Sequence, residues 1–423
     1  MPPYSSESWG KEVHDLYLRK MSPIWIEGAI IVGAGPSGMA AAACLQAQGV
    51  PSVLIEKADC LGSLWKHRTY DRLHLHIPKQ FCELPHMPFP ASYPTYPNRQ
   101  QFMDYLEDYA KRFNIEPHFN ESVQHASYDE RCAIWRVKTV TTGKSSLFST
   151  EEYASRWLIV ASGENAEIVM PKLPGMKQYE GDLLHSSQYK NGAEYAGRDV
   201  LVVGCGNSGM EIALDLANYN AKPSLVVRGP VHVLPREILG RSTFSVALKL
   251  MRTFPVWFAD WLLVFYTWLT LGNIADYGLT RPKEGPMERK GKVGKTPILD
   301  VGTLGKIKTG HIKVVPGLEL LTSTGVRFED GHTQSFDAVI LATGYRSNVP
   351  RWLKDDENMF ARDGFPKPSS QNSWKGERGL YAVGLGRKGL LGASFDARHI
   401  AQDISEVYHA TKAAVMKKIR YVV

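Results

Sequence analysis

The amino-acid sequence predicts an α/β fold with two nucleotide-binding domains, and two observations support this prediction. A strand, a glycine-rich turn, an amphipathic helix and a second strand follow one another at residues 28–57 and again at residues 198–228. Each unit is followed, much later in the chain, by a hydrophobic strand that ends in a turn of small residues, at residues 157–165 and 336–345. Two βαβ units in one chain indicate two Rossmann-like dinucleotide-binding domains with parallel sheets.

The composition is that of an ordinary globular protein. Of the 423 residues, 43% are apolar and 22% are charged, and the net charge is +7. The densest basic segment, residues 281–295, is expected to be a solvated loop or a region that attracts anionic ligands. The five cysteines include no CxxC pair, which argues against a disulfide framework and indicates a reducing compartment. We expect no metal site and no nucleic-acid partner, and the oligomeric state stays open.

The order of these elements predicts a first domain that is interrupted by the second. We expect residues 1–27 to be a polar extension, and residues 28–190 and 345–423 to form the first domain. The second domain is expected at residues 191–344, with an apolar helical insert at residues 240–300. The strand and helix after residue 379 are expected to rejoin the first domain.

The insert contains an apolar stretch, residues 254–272, whose length approaches the roughly 20 residues that a membrane-spanning helix needs. Pro255 lies near its start and Asp260 lies inside it, and a charge at bilayer depth is costly. We therefore expect an amphipathic helix or a helical hairpin that covers a pocket. Contact with a membrane surface is the alternative.

The first glycine motif is expected to bind the pyrophosphate of a dinucleotide. The first glycine permits the tight turn, the second lets the backbone approach the phosphates, and the third lets helix and strand pack closely. Glu56 ends the following strand, where an acid binds ribose hydroxyls. The motif consists of Gly33, Ala34, Gly35, Pro36, Ser37 and Gly38.

The second motif occurs in the same context, but Arg228 stands where the acid would be. A guanidinium pairs with a 2′-phosphate that a carboxylate would repel, so this site is expected to prefer NADP(H). Arg236 is a weaker candidate for the same phosphate. The two chemistries together predict FAD in the first domain and NADPH in the second. The second motif consists of Gly204, Cys205, Gly206, Asn207, Ser208 and Gly209.

The segment between the two motifs contains a pattern of aromatic, glycine, histidine and tyrosine residues, from Tyr179 to Tyr189. Taken alone, His185 in this segment would be an ordinary loop histidine. The whole pattern resembles the fingerprint of flavin-dependent monooxygenases of the N-hydroxylating and Baeyer–Villiger group. A disulfide reductase with the same fold would need a redox cysteine pair, and the closest cysteines, Cys44 and Cys60, lie 16 residues apart.

Longer segments resemble the plant YUCCA flavin monooxygenases, among them residues 62–90, 231–244, 294–302 and 389–404. The resemblance implies a flavin monooxygenase fold in which an NADP domain is inserted into an FAD domain. It also implies oxidative decarboxylation of indole-3-pyruvate, or a similar keto acid, to the auxin indole-3-acetate with NADPH and O2, through a C4a-peroxyflavin. The alternative is an N- or S-oxygenating enzyme. The expected location is the cytoplasm, or else the cytosolic face of the endoplasmic reticulum.

The same resemblance implies roles for three further residues. Trp65 is expected beside the flavin, and Asn165 and Lys79 are expected to take part in catalysis. The broader family has an asparagine a few residues before this lysine, which helps to place the nicotinamide, whereas this chain has residues 76–78, His-Ile-Pro. It also has Ser162 where threonine is more usual. The aromatic residues of the stretch 254–268 suit stacking on an indole ring, with ordinary core packing as the equal alternative.

Overall fold

The computed structural model describes residues 22–141, 149–354, 359–367 and 372–420. Its strands are β1 (Ile24–Trp25), β2 (Ala29–Val32), β3 (Ser52–Ile55), β4 (Glu121–Asp129), β5 (Ile134–Thr141), β6 (Ser149–Ser155), β7 (Trp157–Val160), β8 (Glu167–Ile168), β9 (Asp182–His185), β10 (Asp199–Val203), β11 (Lys222–Val226), β12 (Val233–Pro235), β13 (Glu237–Ile238), β14 (Arg241–Ser242), β15 (Ile298–Asp300), β16 (Lys313–Val315), β17 (Leu318–Leu321), β18 (Gly325–Phe328), β19 (Thr333–Ser335), β20 (Ala338–Leu341), β21 (Tyr345–Arg346) and β22 (Leu380–Ala382). Its α-helices are α1 (Pro36–Ala47), α2 (Ser63–His67), α3 (Arg99–Arg112), α4 (Asn207–Asn218), α5 (Thr243–Thr253), α6 (Val256–Leu271), α7 (Pro286–Val293), α8 (Thr303–Lys308), α9 (Val349–Trp352) and α10 (Gly389–Arg420). Short 3₁₀ helices lie at Lys79–Phe81, Ala193–Tyr195 and Ile274–Tyr277.

The first parallel sheet has the strand order β22-β7-β2-β3. All residues of β2 and β7 are buried, as expected for strands that are covered on both faces. Helices α1, α3 and α10 pack on one face. The sheet β1-β6-β5-β4 covers the other face with a core that includes Trp135 and Val137. The C-terminal strand and helix therefore rejoin the first domain, as predicted.

The second parallel sheet has the strand order β16-β11-β10-β20-β9. Strand β9 pairs with β20 through residues 182–185, so the second sheet begins before residue 190. The predicted boundary between residues 190 and 191 is therefore too late. The predicted start of the first domain at residue 28 is also too late, because β1 pairs with β6. Residues 1–21 of the predicted extension lie outside the described residues.

The insert forms three helices, α5, α6 and α7, around a small apolar core. Asp260, the charged residue in the apolar stretch, is buried, and its carboxylate accepts hydrogen bonds from the backbone N–H groups of Met287 (2.8 Å) and Glu288 (3.0 Å). It thus caps the start of α7 from a neighbouring helix. Among the described residues, no helix is long and apolar enough to cross a membrane.

Helix α6 presents a row of exposed aromatic side chains to solvent. Trp257, Trp261, Phe265 and Trp268 are 70%, 55%, 48% and 53% exposed. Trp257 meets Phe258 edge-on, and the rings of Phe258, Trp261, Phe265 and Trp268 stack in succession. These side chains recur every three or four residues and therefore lie on one face of the helix. Core packing therefore does not account for this exposed face.

Candidate cofactor sites and the cleft between the domains

Both glycine turns are constrained in the same way by their own backbones. Gly33 and Gly204 have φ angles of 110° and 117°, a conformation that side chains rarely adopt. A β carbon on Gly38 would lie 1.9 Å from the carbonyl oxygen of Gly33, and one on Gly209 would lie 1.8 Å from that of Gly204. The first and third glycines of each motif are thus required by the fold, before any ligand is considered.

The middle glycines face open space instead. A β carbon on Gly35 or Gly206 would have no atom of the other described residues within 4 Å, its chain neighbours aside. Each of these glycines is also the N-cap of a 12-residue helix that no side chain caps, so the first N–H groups of α1 and α4 are available to a ligand. Free N–H groups and the positive end of a helix dipole fit a pyrophosphate at both turns.

The first site also contains an acid and an orphaned hydroxyl. Glu56 is buried at the end of β3, and its carboxylate accepts hydrogen bonds from the backbone N–H groups of Ala34 (2.7 Å) and Ala58 (2.9 Å). The hydroxyl oxygen of Ser162 is buried without a hydrogen-bond partner among the described residues. Because Ser162 lies against Gly33, this hydroxyl is placed to bind a ligand in the first turn.

The second site has a free cation at the predicted position. Arg228 lies two residues beyond the end of β11, and its guanidinium makes no hydrogen bond or ion pair with the described residues. Asn207 accepts a hydrogen bond from the N–H group of Leu299 (3.2 Å), which ties the turn to β15. Burial raises the pKa of the Cys205 thiol to about 12, so this residue stays protonated at neutral pH.

His185, in the predicted fingerprint, is a structural residue at the end of β9. It is fully buried, and its ring nitrogens contact the Ser187 hydroxyl at 3.0 Å and the carbonyl oxygen of Gly344 at 3.2 Å. Burial lowers its pKa and outweighs the bond to Gly344. The neutral imidazole thus links the end of β9 to the turn that follows β20.

The two domains also contact each other through side chains near the cleft. The imidazole Nε2 of His76 lies 2.6 Å from the carboxylate of Glu211, which is buried in α4 two residues after the second glycine motif. Trp65 borders the apolar cores of both domains, and its ring centroid lies 4.4 Å from that of Phe102. Sequence reasoning missed Glu211, because its only signal is its position one turn into α4.

An open cleft of about 490 Å³ lies between the domains. The guanidinium of Arg236 is 4.2 Å from the centroid of the Tyr96 ring, which orients it in this cleft. The Nε of Arg72 is buried without a hydrogen-bond partner among the described residues. The cleft is lined by Arg72, His74, Pro94, Thr95, Tyr96, Arg236, Glu237 and Val301, none of which belongs to α6. The predicted covering of a pocket by the apolar helix is therefore not seen at this cleft.

Lys79 does not lie free in a pocket. Its ammonium group donates hydrogen bonds to the carbonyl oxygens of Pro90 (2.9 Å), Ala91 (3.3 Å) and Tyr93 (2.6 Å). Since an ammonium group has three N–H donors, these contacts use its full capacity. In this structure Lys79 therefore supports residues 90–93, which precede the cleft residues Pro94 and Thr95.

Asn165 is exposed after β7, and its side chain makes no hydrogen bond with the described residues. The preceding residue, Glu164, accepts a hydrogen bond from the backbone N–H of Arg387 (2.7 Å). Burial raises the pKa of Glu164, although Arg387 and Lys290 oppose the shift. Its contact with residue 387 holds this turn against the C-terminal part of the first domain.

Comparisons with known proteins agree with this arrangement. A family model described as flavin-binding monooxygenase-like matches residues 27–360. The probable indole-3-pyruvate monooxygenase YUCCA8 of Arabidopsis thaliana is 56% identical over 399 residues, which cover 94% of this chain and 93% of that protein. The indole-3-pyruvate monooxygenase YUCCA1 of Oryza sativa subsp. japonica is 53% identical over 380 residues, covering 90% of this chain and 92% of that protein.

Solved structures show the same fold at low sequence identity. A flavin-containing monooxygenase from Stenotrophomonas maltophilia matches with a TM-score of 0.67 and 21% identity, over 91% of this chain and 99% of that chain. An oxidized steroid monooxygenase bound to NADP matches with a TM-score of 0.72 and 17% identity, over 91% of this chain and 85% of that chain. These matches establish a fold with two Rossmann-type domains.

Proposed function

The chain belongs to the flavin-binding monooxygenase-like family, and we propose that it converts indole-3-pyruvate to indole-3-acetate with NADPH and O2. The observation that carries this proposal is identity of 50–56% over at least 90% of the chain to relatives named indole-3-pyruvate monooxygenases. The balanced reaction takes up the keto acid, O2, NADPH and a proton, and yields the acid, CO2, NADP⁺ and water. A bond between the keto carbon and the carboxylate carbon breaks, and one oxygen atom joins the keto carbon.

The first glycine turn supports FAD as the resident cofactor. Gly35 and the free N–H groups of α1 fit its pyrophosphate, Glu56 fits a ribose hydroxyl, and the Ser162 hydroxyl has hydrogen-bonding capacity to spare. Bound flavin supplies the redox chemistry that accepts hydride and activates oxygen. Trp65 and the surrounding apolar core restrict the access of water from this side.

The second turn and the cleft support NADPH as the reductant. Gly206 and α4 fit the pyrophosphate, and the free guanidinium of Arg228 fits the 2′-phosphate. Arg236 is placed at the cleft for a further phosphate contact, and we propose Arg72 as the cation that binds the substrate carboxylate. In this arrangement, the protein orients two anions and needs no nucleophile of its own.

Product analysis tests the proposed reaction. The purified protein, loaded with FAD, is supplied with NADPH and air, with and without indole-3-pyruvate, and indole-3-acetate, CO2 and hydrogen peroxide are quantified. We expect indole-3-acetate and CO2 in near-equal amounts to the NADPH consumed. Consumption of NADPH with only hydrogen peroxide as product would reject the keto acid and direct the search to amines, sulfides and ketones.

Arginine variants test the binding roles separately. Arg228→Ala is expected to raise the KM for NADPH at least about tenfold and to reduce the preference over NADH, because a charge-assisted contact to phosphate is lost. Arg72→Ala is expected to raise the KM for the keto acid, with little change in the KM for NADPH. Arg252→Ala, at an exposed position on α5, is the matched control. An unchanged NADPH preference in Arg228→Ala would contradict the phosphate assignment.

We further propose the cytoplasm as the location, and the five free cysteines support a reducing compartment. Contact with the cytosolic face of the endoplasmic reticulum is the alternative, and the exposed aromatic face of α6 favours it. Flotation with vesicles that contain anionic lipid distinguishes the two. Binding that is lost when Trp257 and Trp261 are both changed to Ser would support the membrane alternative.

A further inference from the structure

Three side chains with metal-ligating atoms lie close together in the segment that follows Glu56, the acid of the first nucleotide site. Asp59 and Cys60 lie in the turn after β3, and His67 is the last residue of α2. The Cys60 sulfur is 3.2 Å from Nε2 of His67, and that nitrogen is 3.5 Å from a carboxylate oxygen of Asp59. All three donor atoms lie within 4.8 Å of one another.

These separations are those of ligands around one ion. With a zinc–sulfur distance of about 2.3 Å and zinc–nitrogen and zinc–oxygen distances of about 2.0–2.1 Å, tetrahedral geometry places sulfur and nitrogen about 3.6 Å apart. The same geometry places nitrogen and oxygen about 3.3 Å apart. Both observed distances differ from these values by a few tenths of an ångström, so small side-chain rotations would complete the site.

The chemistry of the donors selects the class of metal. A sulfur, an imidazole nitrogen and a carboxylate oxygen form a mixed set that suits Zn²⁺ and disfavours Mg²⁺ and Ca²⁺, which prefer oxygen alone. A thiolate and a carboxylate together balance the charge of a divalent ion. The side chains of His67 and Asp59 are 52% and 71% exposed, so an ion can enter and water can take the fourth position.

We propose that Asp59, Cys60 and His67 form a binding site for Zn²⁺, which the sequence pattern did not predict because the cysteine has no CxxC partner. The site is connected to the proposed FAD contact through the same turn. Glu56 accepts hydrogen bonds from the N–H of Ala58 (2.9 Å) and from the Ser63 hydroxyl (3.4 Å), which lie on either side of Cys60. A bound ion therefore restrains the backbone that holds Glu56.

Direct binding tests the site without reference to activity. The FAD-loaded protein is freed of metal with a chelator, dialysed against Zn²⁺, and analysed for zinc per chain, with Co²⁺ as a spectroscopic probe of thiolate ligation. We expect one ion per chain and a thiolate-to-cobalt charge-transfer band. Cys60→Ser and His67→Gln should weaken binding at least about tenfold, the smallest loss expected even for groups that merely support a ligand.

The control is Cys132→Ser, which removes an exposed thiol outside the cluster and should bind zinc like the unchanged protein. Equal zinc affinity in the unchanged protein and in His67→Gln would overturn the proposal, as would the absence of the cobalt band. His67→Gln is the decisive variant if Cys60→Ser does not fold, since His67 is half-exposed and its replacement leaves the core intact.

The link to the flavin rests on the proposed function and has its own test. Because coupling between two binding sites is reciprocal, zinc is expected to slow the release of FAD several-fold in the unchanged protein, with no effect in His67→Gln. Release is followed by flavin fluorescence after dilution. Zinc that binds without changing the release rate would overturn the coupling and leave the metal site in place.

Discussion

Three glycines in each turn are held by different neighbours, and this allows their roles to be separated by mutation. Gly33 and Gly38 are restricted by protein backbone, so a side chain at either position disturbs the fold itself. In the part of the chain that the structure describes, a side chain at Gly35 would meet open space, so the demand for glycine there comes from the ligand. The same distinction applies to Gly206 in the second turn. The middle glycines therefore report on the cofactors alone.

Gly35→Ala is predicted to lose FAD while keeping the fold. The added methyl group occupies the space in which the backbone approaches the pyrophosphate, whereas its cost to the helix N-cap is about 1 kcal/mol or less. Flavin absorbance per protein and urea unfolding of the apo-protein measure the two effects. Gly206→Ala is the paired control, which should retain FAD and raise the KM for NADPH. Full FAD content in Gly35→Ala would contradict the placement of the pyrophosphate.

Lys79→Met is predicted to act on stability more than on the chemical step. Loss of three hydrogen bonds from a half-buried ammonium group should lower the free energy of unfolding by about 1–2 kcal/mol. Urea unfolding measures the change in stability, and turnover at saturating FAD and substrate measures the effect on the chemical step. Unchanged stability with turnover reduced more than about a hundredfold would instead favour the catalytic role that the family resemblance implies.

The roles of some site residues could be predicted from the sequence, and the roles of others could not. Glu56 and Arg228 follow strands at a fixed spacing from a glycine motif, so their positions are readable from local order. The partners of Lys79 are backbone carbonyl oxygens 11 to 14 residues later, and carbonyls leave no mark on the sequence. Arg72 had no such signal either, because its relation to the cleft arises only when the two domains meet.

Among the secondary-structure elements, the parallel strands were predictable because they are continuous apolar runs beside glycine turns. Strand β9 was assigned to the wrong domain because residues 182–185 are short and only half apolar, and their partner β20 lies more than 150 residues later. The apolar character of helix α6 was predicted, whereas the capping role of Asp260 was not. The helix that Asp260 caps, α7, begins 26 residues later in the chain. Long-range pairing decided both cases.

At the end of β9, His185 is predicted to make stability depend on pH. Its pKa is lowered from 6.5 by burial, so below pH 6.5 the unfolded chain binds a proton that the folded chain does not. The free energy of unfolding should therefore fall as the pH drops below 6.5, and level off below the folded pKa. Urea unfolding between pH 5 and 8 measures the slope.

His185→Gln is the comparison for this prediction, since glutamine keeps a donor for the Gly344 carbonyl oxygen and has no charge to gain. The difference in unfolding free energy between the two proteins should shrink as the pH falls. His232, whose pKa burial also lowers, is present in both proteins and cancels in the difference. A pH-independent difference would show that the imidazole of His185 is not the group that titrates.

At the scale of the whole molecule, the arrangement of the domains decides whether the two cofactors can meet. The glycine turns belong to separate sheets, so the residues that would hold FAD and those that would hold NADPH lie on different domains. The relative position of the domains would then decide whether hydride can pass between the two bound groups. The contact between His76 and Glu211 joins the first domain to α4, two residues after the second glycine motif. This link is a contact between side chains of different domains.

Glu211→Gln is predicted to weaken this link and to uncouple NADPH consumption from product formation. Glutamine keeps the shape of Glu211 but removes the charge that strengthens its bond to His76, so the domains should sample more orientations. The ratio of hydrogen peroxide to indole-3-acetate at saturating NADPH should rise several-fold. Asp199→Asn is the control, because it breaks an exposed ion pair with Lys222 inside the second sheet.

Glu211→Gln removes a charge at the contact between the domains, whereas Asp199→Asn removes one within the second domain. Comparing the two variants therefore shows which of these contacts controls peroxide release. A rise in peroxide only with Glu211→Gln means that the contact between domains protects the reduced flavin until substrate arrives. An equal rise in both variants would mean that general loosening of the second domain is responsible. An unchanged ratio in Glu211→Gln would leave the link a structural contact, and the orientation of the domains would then depend on the apolar packing around Trp65.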